Sequence, residues 1–287
     1  MKLMDFTELP TKKKSYGGAN GNKLSVVINN ETYMLKLPAH TMRNAEMSYS
    51  NSAISEFLGS HIFNMAGISA QETILGTYTY KGVKRISVAC KDFAKNGYVL
   101  QDFASVKNQI IDSQSNGYGT ELSDILETIE KQTFIDPIEL SIHFWNMFAV
   151  DALIGNWDRH NGNWGFLYSE ENDEIKLAPI FDCGSSLFPQ ADEKMLGKFL
   201  KNKSEFNARI YDFPTSAILE NNRRINYYPF VKSHKYAACD DAFKRMRLRI
   251  DLSAINELID ALECIGENQR TFLKRILEAR YRAFFFD

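Results

Sequence analysis

The run from Ile138 to Gly155 constrains this chain most, because Leu140, Ile142, Phe144, Trp145, Met147, Phe148, Val150, Leu153 and Ile154 leave a helix there almost no polar face. A helix that is apolar around its circumference must be buried on most sides, so the fold has to be assembled around it. Asp136-Pro137 just before it is a good helix start, with proline in the first turn. The run leads into Gly155-Asn156-Trp157-Asp158-Arg159-His160-Asn161-Gly162-Asn163. A loop leaving a rigid buried helix holds its side chains more accurately than a mobile surface loop.

Trp164 to Tyr168 and Ile175 to Ile180 read as strands, separated by the polar turn Ser169-Glu170-Glu171-Asn172-Asp173-Glu174. A hairpin there folds Asp182-Cys183-Gly184 back toward Asp158. An acid, an amide five residues on, and a second acid before a glycine suit phosphoryl transfer. Hard oxygen donors hold Mg²⁺, and a carboxylate orients the attacking hydroxyl and accepts its proton. In that reading Asp158 is the base, while Asn163 and Asp182 hold the metal and His160 and Asn161 shape the loop. By local composition alone, residues 156 to 163 fit an ordinary turn rich in Asn, Asp and Gly equally well. A calcium EF-hand is excluded, because numbering from Asn156 puts Asn161 where the sixth-position glycine must stand. His160 and Cys183 offer zinc two ligands at most.

Toward the N-terminus, Lys23 to Ile28 and Glu31 to Leu37 predict two strands joined by Asn29-Asn30, a pair that tolerates the positive φ of a tight hairpin turn. The preceding loop carries Gly17, Gly18 and Gly21. Its backbone N–H groups fit a phosphate lid, with Lys36 reaching the same phosphates, and they fit a plain turn as well. A Walker loop is excluded, since counting from Gly17 puts Asn22, Lys23 and Leu24 at its last three positions. Ile54, Phe57, Leu58, Ile62 and Met65 give an amphipathic helix from Ser52 to Ala66, ended by Gly67. Glu56 lies off that stripe, either as a solvated glutamate or as the ion-pair partner of Lys36. Strands follow around Thr73 to Tyr80 and Arg85 to Lys91. Asn, Ser, Gly and Asp punctuate residues 97 to 136, and beyond Leu187 the chain reads as helices and loops. Ile255, Leu258, Ile259 and Leu262 form one late helical stripe, and Phe272, Leu273, Ile276 and Leu277 another.

The run LIGNWDRHNGNWGFLY followed by IFDCGSSLFPQ resembles the core of the HipA-like serine/threonine kinases, and SYGGANGNKLSVVINNETYMLKLP and INYYPF carry the resemblance over most of the chain. It implies an α+β, two-lobed protein-kinase-like fold: a β-rich nucleotide-binding lobe over residues 1–95 and a mostly helical catalytic lobe over 96–287. It also implies ATP and Mg²⁺ as cofactors. Lys36, Asp158, Asn163 and Asp182 become the catalytic set, with Gly18, Ala19, Asn20, Gly21, Glu56 and His160 around the nucleotide. Lys91, Asp92 and Phe93 correspond to the hinge, where backbone groups bind adenine. Ser15 matches a serine that some members autophosphorylate. Cys183 stands where protein kinases have Phe, which puts Phe-flip regulation in doubt but not metal binding by Asp182. The implied acceptor is a protein serine or threonine, and a small antitoxin-like partner is in keeping with the family. A lipid or small-molecule kinase, a non-catalytic ATP-binding module and a thiol hydrolase using Cys183 and His160 remain as alternatives.

Composition narrows the rest. With 44% hydrophobic and 24% charged residues among 287, the chain has material for two cores. Its 34 basic and 36 acidic side chains give no strong field for nucleic acid or an anionic membrane. Lys244, Arg245, Arg247 and Arg249 form one basic cluster, either a solvated face or a contact for an acidic substrate. The four cysteines, Cys90, Cys183, Cys239 and Cys264, lack paired spacing and read as reduced thiols. MKLMDFTELPTKKK has no apolar signal core, and no run approaches the ~20 apolar residues of a membrane span. These point to the cytoplasm, with secretion by a non-ordinary route left open.

Overall fold

The computed structural model describes residues 1–16, 23–37, 51–111 and 116–286. Gly17, Gly18, Ala19, Asn20 and Gly21 lie outside them. Among the described residues, the N-terminal part is a six-stranded sheet in the order β1-β5-β6-β4-β3-β2. Its strands are β1 (Met4–Asp5), β2 (Thr11–Lys12), β3 (Lys23–Ile28), β4 (Glu31–Lys36), β5 (Thr73–Tyr80) and β6 (Val83–Lys91). The two-residue edge strands β1 and β2 are too short to carry an alternation pattern that a sequence reading would register. β3 and β4 pair antiparallel from Lys23↔Lys36 to Ile28↔Glu31, and Asn29 and Asn30 take the positive φ values of 48° and 64° expected of them. Leu35, Val26, Ala89 and Phe6 fill one face of the sheet.

Helix α1 (Ser52–Met65) packs against β5 and β6 and ends before Gly67, whose φ is +74°. Glu56 is not solvated: it is 1% exposed. The apolar stripe of α1 is wider than its sequence pattern suggested, with Ser55, Glu56, Gly59 and Ser60 all buried. Small residues there let a second chain segment lie directly on the helix.

The C-terminal part forms around α4 (Pro137–Ile154), buried from Phe144 to Ile154. Asp136 caps it through its side chain, accepting from Ile138 N and Glu139 N, and Gly155 ends it with φ 63° and ψ 49°. Before it come β7 (Tyr98–Asp102), α2 (Phe103–Ile110) and α3 (Leu122–Lys131). After it come β8 (Gly165–Ser169) and β9 (Glu174–Leu177), which with β7 make a three-stranded antiparallel sheet. β9 stops at Leu177, earlier than its sequence pattern suggested, because Ile180 turns away to bridge Ala70. That bridge, with Gln71 N and Ile180 N donating to Ile180 O and Ser69 O at 2.8 Å, ties the N-terminal part to the approach of Asp182.

Beyond Leu187 the chain is more than helices and loops. Besides α5 (Glu193–Lys201), α6 (Lys203–Tyr211), α7 (Tyr227–Lys232), α8 (Ala237–Arg249), α9 (Leu252–Asp260) and α10 (Glu267–Phe285), it contains the antiparallel pair β10 (Thr215–Glu220) and β11 (Arg223–Asn226). Their turn, Asn221-Asn222, repeats the paired-asparagine signature with φ 54° and 61°. The strands are short and interrupted by an irregularity between Thr215 and Leu219, which hid their alternation. The basic cluster is dispersed: Lys244 pairs with Asp241, Arg245 donates to Asn146, Arg247 lies over the Phe286 ring and Arg249 flanks Gly67.

Candidate active site

Lys36 ends β4 and sits where three elements meet. Its ammonium lies 2.9 Å from Glu56 Oε2 on α1 and 2.8 Å from Asp182 Oδ1. Burial disfavours the Lys36 charge, yet Asp182 and Glu56 hold its pKa well above the ordinary lysine value. Lys36 in turn holds the Asp182 carboxyl down at about 2, although the Asp182 side chain is 47% exposed. Asp182 adopts φ 59°, a left-handed conformation unusual outside glycine. Close approach to α1 fixes this turn: a Cβ on Gly59 would stand 2.6 Å from Cys183 Cβ, and one on Gly184 3.1 Å from Glu56 Oε2.

Asp158 and Asn163 sit on the loop after α4. Asn163 Nδ2 donates to Asp158 O at 2.9 Å, so the amide is oriented with its carbonyl oxygen away from that bond. His160 Nδ1 accepts from Gly162 N at 3.0 Å and Asn163 N donates to His160 O at 2.9 Å, which makes His160 part of the loop's internal frame. Burial raises the Asp158 pKa above the usual aspartate value, with His160, Asp182 and Arg224 acting on it after that.

The loop's frame includes residues that sequence reading did not single out. Arg159, fully buried, donates Nε to Asp151 Oδ2 at 2.9 Å and Nη1 to Asn163 O at 2.8 Å; it also reaches Phe181 O and, at 3.4 Å, Cys183 Sγ. One guanidinium therefore ties α4, the Asp158 loop and the Asp182 turn together. Asn156 Nδ2 donates to Asp151 Oδ1 at 2.9 Å, its Oδ1 accepts from Asp158 N, and its carbonyl accepts from Tyr227 Oη at 2.6 Å. Arg280 of α10 caps the last turn of α4 from outside, donating to Leu153 O, Arg209 O and Phe213 O. Asp151 was the available signal: an acid within the apolar stretch Met147–Ile154 needs a buried partner, and Arg159 follows eight residues later.

The proposed hinge residues are placed differently from one another. Lys91 Nζ points outward to Glu31 and Glu72 at 2.7 and 3.0 Å. Its backbone N donates to Glu72 O, its carbonyl accepts from Gln71 Nε2, and Asp92 N donates to Thr32 O. Asp92 accepts from Lys14 Nζ and, at 3.2 Å, from Tyr16 Oη. Those groups are committed within the protein. The Phe93 ring lies 5.6 Å from that of Phe181, one residue before Asp182. Ser15 is exposed, at the edge of the described residues.

The donors suit a hard cation. Asn163 and Asp182 would offer a metal oxygen donors only: Lys36 occupies Asp182 Oδ1 and leaves Oδ2, and no described group donates to Asn163 Oδ1. One or two protein oxygens completed by phosphate and water is how Mg²⁺ is ordinarily held, and no cluster of three or more His, Cys, Asp or Glu able to hold a metal occurs among the described residues.

A β-rich part carrying a lysine–glutamate pair, set over a helical part that presents an acid–amide loop and a second acid, is the kinase-like α+β fold. The chain belongs to the HipA-like C-terminal domain family, whose model matches residues 14–262. It is 46% identical over 282 residues to the serine/threonine-protein kinase CtkA of Helicobacter pylori, covering 98% of this chain and 86% of that protein. The crystal structure of the Helicobacter pylori proinflammatory kinase CtkA matches with a TM-score of 0.93 at 45% identity, over 99% of this chain and 95% of the other. HipA of Shewanella oneidensis MR-1, solved with HipB and operator DNA, matches at 12% identity with a TM-score of 0.54, over 94% of this chain and 65% of that one; it shares the fold alone.

Proposed function

We propose that this chain is an ATP- and Mg²⁺-dependent serine/threonine protein kinase, with a nucleotide-binding lobe to about residue 95 and a catalytic lobe beyond it. The observation that carries this reading is the convergence of Lys36, Glu56 and Asp182 within 2.9 Å, beside a loop presenting Asp158 and Asn163 and clamped by Arg159. Lys36 meets the phosphates and stabilises charge developing on their oxygens, while Glu56 holds it in place. Mg²⁺, when bound, neutralises phosphate charge, and Asn163 and Asp182 are the residues that hold it. Asp158 orients the acceptor hydroxyl and takes its proton as the new O–P bond forms. The bond from the γ-phosphorus to the β–γ bridging oxygen breaks, and ADP leaves. Ser15, exposed beside the glycine segment, is the proposed autophosphorylation site.

Transfer of label from γ-labelled ATP to a panel of acidic and basic proteins, a lipid head group and an aminoglycoside tests this. Phosphoserine or phosphothreonine in a protein acceptor is the expected product. Label confined to the lipid or the aminoglycoside would move the assignment to a different kinase class. Mass spectrometry after incubation with MgATP is expected to find phosphate on Ser15; labelling elsewhere with Ser15 unmodified removes that part.

A further inference from the structure

The catalytic loop's Asn161 donates from Nδ2 to Gly117 O and Gly119 O at 2.9 and 2.8 Å, fixing residues 116–121 against the loop. Within that segment Tyr118 is 56% exposed, and its ring edge would be 3.2 Å from a Cβ on Gly162. The same segment grips the β10–β11 hairpin. Leu219 N donates to Thr120 O at 2.8 Å, Thr120 Oγ1 to Ala217 O at 2.7 Å, and the Glu121 carboxylate accepts from Asn221 N and Asn222 N at 2.6 and 3.1 Å. β11 then leads into Tyr227, bonded to Asn156 two residues before Asp158. The hairpin is thus fixed from both ends to the loop that carries the base.

Arg224 lies on this hairpin. It is exposed, and no described side chain makes an ion pair or hydrogen bond with its guanidinium; Glu121 is committed to the hairpin turn and Glu220 to Lys235 and Tyr236. An unpaired arginine on a strand braced to the loop that carries Asp158 is suited to a carboxylate or phosphate on the incoming substrate. Arg224 is the cross-strand partner of Leu219, the residue whose backbone N donates to Thr120 O two residues after Tyr118.

We infer that the rim formed by Tyr118, Gly162 and Arg224 is the acceptor-side subsite, and that Arg224 selects serine or threonine hydroxyls flanked by an acidic side chain. This rests on the protein-kinase reading above and names its acceptor class. Arg224 touches the acceptor rather than the transferred group, so it sets specificity.

Peptides identical except for glutamate, glutamine or lysine at each position flanking one serine test the inference by their kcat/KM ratios. One charge-assisted hydrogen bond corresponds to about a tenfold preference for the best-placed glutamate over glutamine. Arg224→Ala brings that ratio to about one, and Arg224→Glu turns the preference toward lysine. Arg223→Ala, on the opposite face of the strand, keeps the parent ratio, and unchanged melting temperatures show that the variants fold. A parent enzyme that phosphorylates the peptides without discriminating, or a preference equally lost in Arg223→Ala, overturns the inference and leaves the kinase reading standing. No transfer to any peptide or protein overturns both.

Discussion

Arg159 Nε lies 2.9 Å from Asp151 Oδ2, and both side chains are buried. The pair joins the helix that organises the C-terminal part to the loop that carries Asp158, and the same guanidinium holds the carbonyls of Asn163 and Phe181. Removing one member of a buried ion pair strands the other. Arg159→Leu is therefore expected to lower stability by about 3–5 kcal/mol, read from urea denaturation. Arg159→Lys keeps the charge but not the fork, so its transfer rate falls more than its stability. Equal stability of parent and Arg159→Leu would remove this clamp from the account.

Lys36 is the shared cation of Glu56 and Asp182. Lys36→Met is expected to lower the transfer rate by about two to three orders of magnitude, the size of losing one charge-stabilising group. It also releases Asp182. The native carboxyl is depressed to about 2, chiefly by Lys36, so its ionised form contributes fully above the ordinary carboxylate range and is lost only as pH falls toward that value. In the variant the loss moves to higher pH. Mg²⁺ affinity followed against pH in both proteins checks this, and identical curves would contradict it.

Gly59 has no room for a side chain, because its Cβ would stand 2.6 Å from that of Cys183. Gly59→Ala pushes α1 away from the Asp182 turn and separates Glu56 from Lys36. Stability drops by about 1–3 kcal/mol, while transfer falls about ten- to a hundredfold, since small misplacements of reacting groups are costly. A melting shift without loss of rate would show that this helix contact does not set the site.

Much of this arrangement was legible in the sequence, for identifiable reasons. The β3–β4 hairpin was readable because Asn29-Asn30 marks its turn, and α4 because a nearly unbroken apolar run and a capped start agree. The Asp158 loop and Asp182 turn were visible through acid and amide spacing. The buried position of Glu56 was not, since a glutamate's burial depends on the lysine that meets it from another element. Arg159 was overlooked for the same reason: its partners, Asp151, Asn163 O and Phe181 O, come together only after folding. The β10–β11 hairpin repeats the asparagine-pair turn, yet its strands are too short and irregular for alternation to register. Arg224 could not be placed near Asp158 without that hairpin.

The cysteines are expected to be chemically quiet. Cys90 and Cys183 are buried, and burial pushes the Cys183 thiol up to about 12, so little thiolate forms near neutrality. Iodoacetamide at neutral pH should label the half-buried Cys264 first and leave phosphoryl transfer unchanged. Rapid labelling of Cys183 with parallel loss of activity would favour thiol chemistry instead.

The most direct measurement is transfer of labelled phosphate from ATP, with and without Mg²⁺, by the parent chain and by Asp158→Asn, alongside nucleotide affinity for each. The account predicts Mg²⁺-dependent transfer by the parent, and loss of transfer in Asp158→Asn with nucleotide affinity kept. Undiminished transfer by Asp158→Asn, or transfer by the parent that is indifferent to Mg²⁺, would contradict it.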